Sequence, residues 1–171
     1  MINLREVVSK DDAPAARPAG VVTLTFEERR RSRLLVRLDD GREAALLLPR
    51  GTVLVDGQLL RADGDVGVVM VRAAAETLSV ARASDPHLIA RAAYHLGNRH
   101  TPVQVGAGWL RLAADGVLAD MLRGLGAAVT PIRASFEPEA GAYAAGHHAH
   151  SGEAKHAGII HDFAARGTHG G

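Results

Sequence analysis

Nine histidines occur among the 171 residues, and six of them, His147, His148, His150, His156, His161 and His169, lie within the last 25 positions. Imidazole is a borderline donor that suits nickel, zinc and copper(II), and several rings on one pliable segment can gather around a single ion. The alternatives are an expression tag or a solvated low-complexity end. A tag usually runs as uninterrupted His, whereas these rings are interleaved with Gly, Ala, Glu and Lys over more than twenty positions, and metal binding is the favoured reading. A catalytic metal needs fixed geometry, an open coordination position and an oriented outer shell. A segment of this kind suits capture and release, and would carry a metal rather than use it.

The remaining histidines are His87, His95 and His100. His95 falls in the last turn of an expected helix, where a cation complements the dipole and a capping or packing role suffices. His87 reads as a surface residue. By spacing alone His100, just past the end of that helix, reads as a surface or hydrogen-bonded side chain. A firm metal site in the folded part would need a second chain, because one chain offers too few clustered ligands there. Two-fold pairing would set identical histidines face to face.

The chain contains no cysteine, which removes disulfides, thiolate zinc sites, iron–sulfur centres and thiol nucleophiles together. Its formal charge is +1, from 20 Lys and Arg against 19 Asp and Glu, so no electrostatic footprint for nucleic acid or an anionic membrane is present. The opening MINLREVVSKDD lacks the apolar core of a signal peptide, and no apolar run approaches the roughly 20 residues of a spanning helix. A cytoplasmic location is expected. No His-Glu-x-x-His helix, serine elbow, P-loop or Gly-x-Gly-x-x-Gly turn is found, so no enzyme is expected.

The elements that would position these residues divide into two textures. From Val21 to Ala73, short apolar runs alternate with turn signals. Strands are expected at Val21 to Phe26, Arg33 to Leu38, Glu43 to Leu48, Gln58 to Ala62 and Val66 to Val71. Asp39-Asp40-Gly41 and Asp63-Gly64-Asp65 form the natural hairpin connections. The charged run Glu28 to Arg33 reads as a solvated face. Beyond Thr77 strands and helices alternate. Leu78 to Arg82 reads as a strand. Asp85-Pro86 starts a helix with the apolar face Leu88, Ile89, Ala92, Ala93 and Leu96, and Gly97 is placed to close it in a left-handed cap. Pro102 to Val105 and Trp109 to Ala113 pair as a hairpin. Asp115 caps a second helix carrying Val117, Leu118, Met121, Leu122 and Leu125, closed by Gly126, and a last strand covers Ala128 to Ser135. The order β-α-β-β-α-β is that of a ferredoxin-like domain. The expected fold class is therefore α+β, with an all-β domain at residues 1–75, a ferredoxin-like domain at 76–145 and a flexible His-rich tail at 146–171, where periodicity is lost.

The run His95-Leu96-Gly97-Asn98-Arg99-His100, continuing Thr101-Pro102-Val103-Gln104-Val105, resembles the signature of the UreE family of urease accessory proteins. So do Glu28-Arg29-Arg30-Arg31-Ser32-Arg33, Leu47-Leu48-Pro49-Arg50-Gly51-Thr52, and Phe136-Glu137-Pro138-Glu139-Ala140-Gly141-Ala142-Tyr143 leading into the histidines. The resemblance implies a homodimer whose first domain contacts partner proteins and whose second binds nickel(II) as cargo. It places the metal at the dimer interface on His100 and its symmetry mate, with ligands from the region of His147, His148 and His150. Zinc and copper(II) are further candidates as ligand-matched ions. The implied partners are the urease-activating GTPase, other urease accessory proteins and urease apoprotein, and the implied role is nickel delivery. Metal storage by a sequestering tail is the competing reading. Where some members carry a further His pair around an Asp, this chain has Ala114-Asp115-Gly116, so Asp115 reads as a helix cap alone.

Overall fold

The computed structural model describes residues 1–9 and 17–140. The first part of the chain builds a six-stranded mixed sheet from β1 (Ile2–Val8), β2 (Gly20–Leu24), β3 (Arg33–Arg37), β4 (Glu43–Leu47), β5 (Leu59–Ala62) and β6 (Val68–Ala73), in the order β2-β6-β5-β1-β4-β3. β1 runs parallel to β4 and β2 parallel to β6, while the other neighbours are antiparallel. Alternate residues of these strands face one core that includes Leu4, Val22, Leu46, Leu60, Val69 and Val71. Burying each such side chain contributes about 1.5–3 kcal/mol.

Two local expectations are corrected here. β1 occupies a stretch read only for targeting signals, and it enters the sheet between β5 and β4. The strand expected to reach Phe26 stops at Leu24, because Thr25 caps a one-turn helix, α1 (Phe26–Arg29). The Thr25 hydroxyl accepts from the Glu28 amide at 3.3 Å, and the Glu28 carboxylate accepts from the Thr25 amide at 2.8 Å. This reciprocal box satisfies two orphan donors at the helix start. Between β5 and β6 the chain makes one 3-10 turn (Gly64–Val66).

The second part comprises β7 (Glu76–Arg82), α2 (Pro86–Gly97), β8 (Gln104–Gly106), β9 (Trp109–Ala113), α3 (Gly116–Gly124) and β10 (Ala128–Ala134). Its sheet is antiparallel throughout, in the order β10-β7-β9-β8. This is the βαββαβ order expected of a ferredoxin-like unit. Ala92 and Leu96 of α2 and Leu122 of α3 are fully buried with Ala81, Leu110 and Leu112 of the sheet, and Leu88, Ile89, Leu118, Met121 and Leu125 pack against them. Val117 does not join this face and is 80% exposed, since it lies one position ahead of the α3 stripe. In the β8–β9 hairpin Gly106 admits the Trp109 ring, which lies 2.0 Å from where a Cβ would stand. No helix among the described residues is long and apolar enough to cross a membrane.

The two sheets meet around Arg29, which sequence reading had placed on a solvated face. Its side chain is 1% exposed. The guanidinium donates to the Leu54 carbonyl at 2.9 Å and to the Phe136 carbonyl, and pairs with the Glu137 carboxylate at 2.7 Å. The Phe26 and Phe136 rings meet edge to face at 5.3 Å, and the Phe26 amide donates to the Glu76 carboxylate at 2.6 Å. A Thr-x-x-Glu box at residues 25–28 was the signal that could have located α1, and with it the inward turn of Arg29.

Candidate metal-binding site

Helix α2 positions the chemistry. Asp85 starts it by accepting from the His87 amide at 2.9 Å, with Pro86 in the first turn where no donor is lost. The apolar stripe then holds one face of α2 on the sheet, so that Tyr94, His95, Arg99 and His100 gather at its C-terminal end. Tyr94 is 66% exposed and its ring stands edge to face with the His95 imidazole at 5.5 Å. His95 is half-buried, and its carbonyl accepts from the Arg99 guanidinium at 2.9 Å. His87 is exposed at the opposite end of the helix.

The end of α2 differs from expectation in an informative way. Gly97 lies within the last turn, and the left-handed position falls to His100, whose φ is 53°. Among the described residues it is the one non-glycine with positive φ. The Thr101 amide donates to the Leu96 carbonyl at 3.2 Å and the His100 amide to the Gly97 carbonyl at 2.9 Å. These two bonds form a Schellman motif, in which the left-handed residue is usually Gly. Helix α3 ends in the same motif: Ala127 and Gly126 donate to Leu122 and Arg123 at 3.0 and 2.9 Å, with Gly126 at φ 104°. One helix closes on glycine, as expected, and the other closes on histidine.

The left-handed conformation of a residue with a Cβ costs about 1–2 kcal/mol. In return it fixes the backbone of His100 at a point just past the helix, where its exposed imidazole stands by the negative end of the helix dipole. That end favours a cation by about 0.3–1 kcal/mol. Among the described residues no three His, Cys, Asp or Glu side chains come together, so His100 belongs to no preformed three-ligand cluster there. His147, His148 and His150 lie outside the described residues. Asp115 takes the capping role expected of it, accepting from the Leu118 amide at 2.8 Å.

The segment that follows β10 returns to the chain just beyond His100. The Glu137 amide donates to the Gln104 side chain at 3.3 Å, and the Glu139 amide donates to the Val103 carbonyl at 2.8 Å. With Arg29 gripping Phe136 and Glu137, residues 136–139 are tied on both sides, on one of them to Val103, which is three residues from His100 along the sequence.

The comparisons agree with this architecture. A family model described as UreE urease accessory protein, C-terminal domain, matches residues 76–164, and one described as UreE urease accessory protein, N-terminal domain, matches residues 3–74. The chain is 56% identical over 133 residues to a urease accessory protein UreE of Burkholderia ambifaria, covering 77% of this chain and 65% of that protein. It is 57% identical over 133 residues to the one of Paraburkholderia xenovorans, covering 77% of this chain and 59% of that protein. It is 58% identical over 129 residues to the one of Pseudomonas putida strain W619, covering 75% of this chain and 80% of that protein. The chain thus spans somewhat less than two thirds of the length of the first two relatives. Matched from its first strand through both sheets, and more than half identical to these relatives, the chain belongs to the UreE family of urease accessory proteins.

Proposed function

We propose that this protein is a cytoplasmic metallochaperone that binds nickel(II) and delivers it during assembly of the urease metal centre, catalysing no reaction itself. Nickel is held between two protomers by His100 of each, and His147, His148 and His150 complete its coordination. The urease-activating GTPase, other urease accessory proteins and urease apoprotein are the partners in handover. Zinc and copper(II) compete for the same nitrogen donors, since raw affinity at such a site does not favour nickel over copper.

The observation that carries this reading is His100 itself. A histidine replaces glycine at a left-handed helix end, at a backbone cost that a passive surface residue has no reason to bear. His100 joins no three-ligand cluster among the described residues, which suits a two-fold site in which the symmetry mate supplies a second nitrogen. Chain length permits the remaining ligands. Eight residue steps separate Glu139 from His147 and span at most about 28 Å, whereas Glu139 is hydrogen-bonded to Val103, only three residues from His100. Tyr94, 66% exposed beside the site, is apolar surface that pairing would bury.

Calorimetric nickel titration tests the proposal on the full chain, on His100→Gly and on a chain ending at Gly146, with the oligomer mass measured in each. The expected result is tight binding of about one ion per dimer that His100→Gly abolishes, with weaker binding or fewer ions in the shortened chain. Unchanged binding in His100→Gly, or many ions per dimer lost only with the last 25 residues, would overturn delivery in favour of storage.

A further inference from the structure

Strand β3 forms one edge of the six-stranded sheet. The bonds from the Leu38 amide to the Arg42 carbonyl, 2.8 Å, and from the Leu48 amide to the Ser32 carbonyl, 2.7 Å, fix the phase of its pairing with β4. Even-numbered residues of β3 turn their backbone groups toward β4, and Arg33, Leu35 and Arg37 turn theirs outward. Next along the same edge, the Asp39 amide is met by the Val21 carbonyl of β2 at 2.8 Å, and Thr23 and Arg72 hold the Asp39 carboxylate at 3.0 Å each. No further backbone bond joins β2 to this edge among the described residues. Among the described residues, none pairs with the outward N–H and C=O groups of Arg33, Leu35 and Arg37.

Charged side chains on an edge discourage indiscriminate pairing, and Arg33 and Arg37 are such residues here; between them Leu35 is 73% exposed. Two surface hollows share Leu35 as a wall. One lies among Arg33, Leu35, Ala45 and Leu47, the other among Met1, Leu35, Arg37 and Glu43. Both hollows lie over the β3–β4 face. At the free edge itself the open backbone ladder supplies hydrogen bonds to an incoming strand, and the alternating side chains Arg33, Leu35 and Arg37 supply selectivity.

The charges decide the occupant. A second copy adding antiparallel about Leu35 would set Arg33 opposite Arg37 at both ends of the pairing, and like charges directly opposed destabilise it. A strand with acidic residues at those two positions gains where the copy loses. Arg33 has no carboxylate partner among the described residues, and Arg37 has only Glu43 at 3.6 Å with both side chains about 70% exposed. We propose that the β3 edge is a docking site for an extended segment of a partner protein, apolar opposite Leu35 and acidic opposite Arg33 and Arg37, added as a seventh strand. The inference rests on the accessory-protein reading only for the biological source of the segment, and its outcome is independent of the nickel titration.

A fluorescent peptide Ser-Glu-Thr-Val-Thr-Glu-Ser, titrated to millimolar concentration against the full chain, is the probe. Its counterpart has Lys in both Glu positions. The acidic peptide is expected to bind about tenfold more tightly than the basic one, from two matched against two opposed charge pairs. The Arg33→Glu, Arg37→Glu double variant should invert that order. Backbone amide exchange should slow at Arg33, Leu35 and Arg37 on binding. Leu35→Pro should abolish binding while exchange at Leu34 stays slow, because the lost Leu35 N–H makes no bond to β4. Absence of binding, protection confined to other strands, an order that the charge swap leaves unchanged, or self-association through this edge would each overturn the proposal.

Discussion

Replacing Arg29 by methionine tests whether the junction of the two sheets rests on one buried cation. The side chain is 1% exposed and serves two carbonyls, of Leu54 and Phe136, and the Glu137 carboxylate. Methionine fills much of the same volume but donates nothing. The Leu54 and Phe136 carbonyls then lose their donor in a dry site, at about 1–3 kcal/mol each. Glu137 is 31% exposed and recovers water, so its share is smaller. A total of about 4 kcal/mol follows, within the range of about 3–5 kcal/mol found when one partner of a buried pair is removed. That is a large part of a domain stability of about 5–15 kcal/mol. Urea unfolding followed by circular dichroism should show the midpoint falling by about 2 M for a slope near 2 kcal/mol per molar. Glu137→Gln keeps an acceptor but removes the charge beside a buried guanidinium that the two carbonyls still serve, and should cost about 1–3 kcal/mol, less than Arg29→Met. The reasoning fails if Arg29→Met costs under about 1 kcal/mol, or if Glu137→Gln costs as much as Arg29→Met, since the ion pair rather than the carbonyls would then dominate.

Substituting His100 by Gly should leave stability unchanged or raise it by up to about 1 kcal/mol, because relief of the left-handed strain is partly offset by greater freedom of the unfolded chain; His100→Ala keeps the strain, and calorimetry should find nickel binding lost in both. Asp115→Ala should cost about 1 kcal/mol in denaturant unfolding through loss of the bond to the Leu118 amide, with nickel binding unaltered. The Arg5 guanidinium, aided by the Asn3 amide, holds the Asp63 carboxyl below the usual carboxylate range. Its contribution to stability is therefore complete above about pH 4 and is lost as pH falls through the lower folded value. Asp63→Asn should be less stable than the parent at pH 7, by a small margin for so exposed a pair, with the gap closing in acid-unfolding curves.

Much of the second sheet was legible in the chain because its signals are local. Asp85-Pro86, the stripe Leu88 to Leu96, Asp115 and Gly126 each act within a few residues, through capping, periodicity or backbone freedom. The β-rich character of the first part was legible for the same reason, from short apolar runs separated by Asp and Gly. β1 escaped notice because its apolar positions, Ile2, Leu4, Val7 and Val8, break strict alternation, in keeping with the register shift between Leu4 and Glu6.

For the candidate site, sequence alone identified His100, through its place in a recognisable run of residues, and marked the last 25 positions as rich in nitrogen donors. It did not disclose that His100 adopts the conformation expected of Gly97. A Schellman closure is chosen by where the helix stops packing on its sheet, and Leu96, fully buried, carries α2 one turn further than a local reading of Gly97 suggests. Nor could sequence separate Arg29 from the neighbouring exposed arginines. An arginine becomes a buried hub only when Leu54, Phe136 and Glu137, 25 to 108 positions away, converge on it, and that convergence belongs to the tertiary fold.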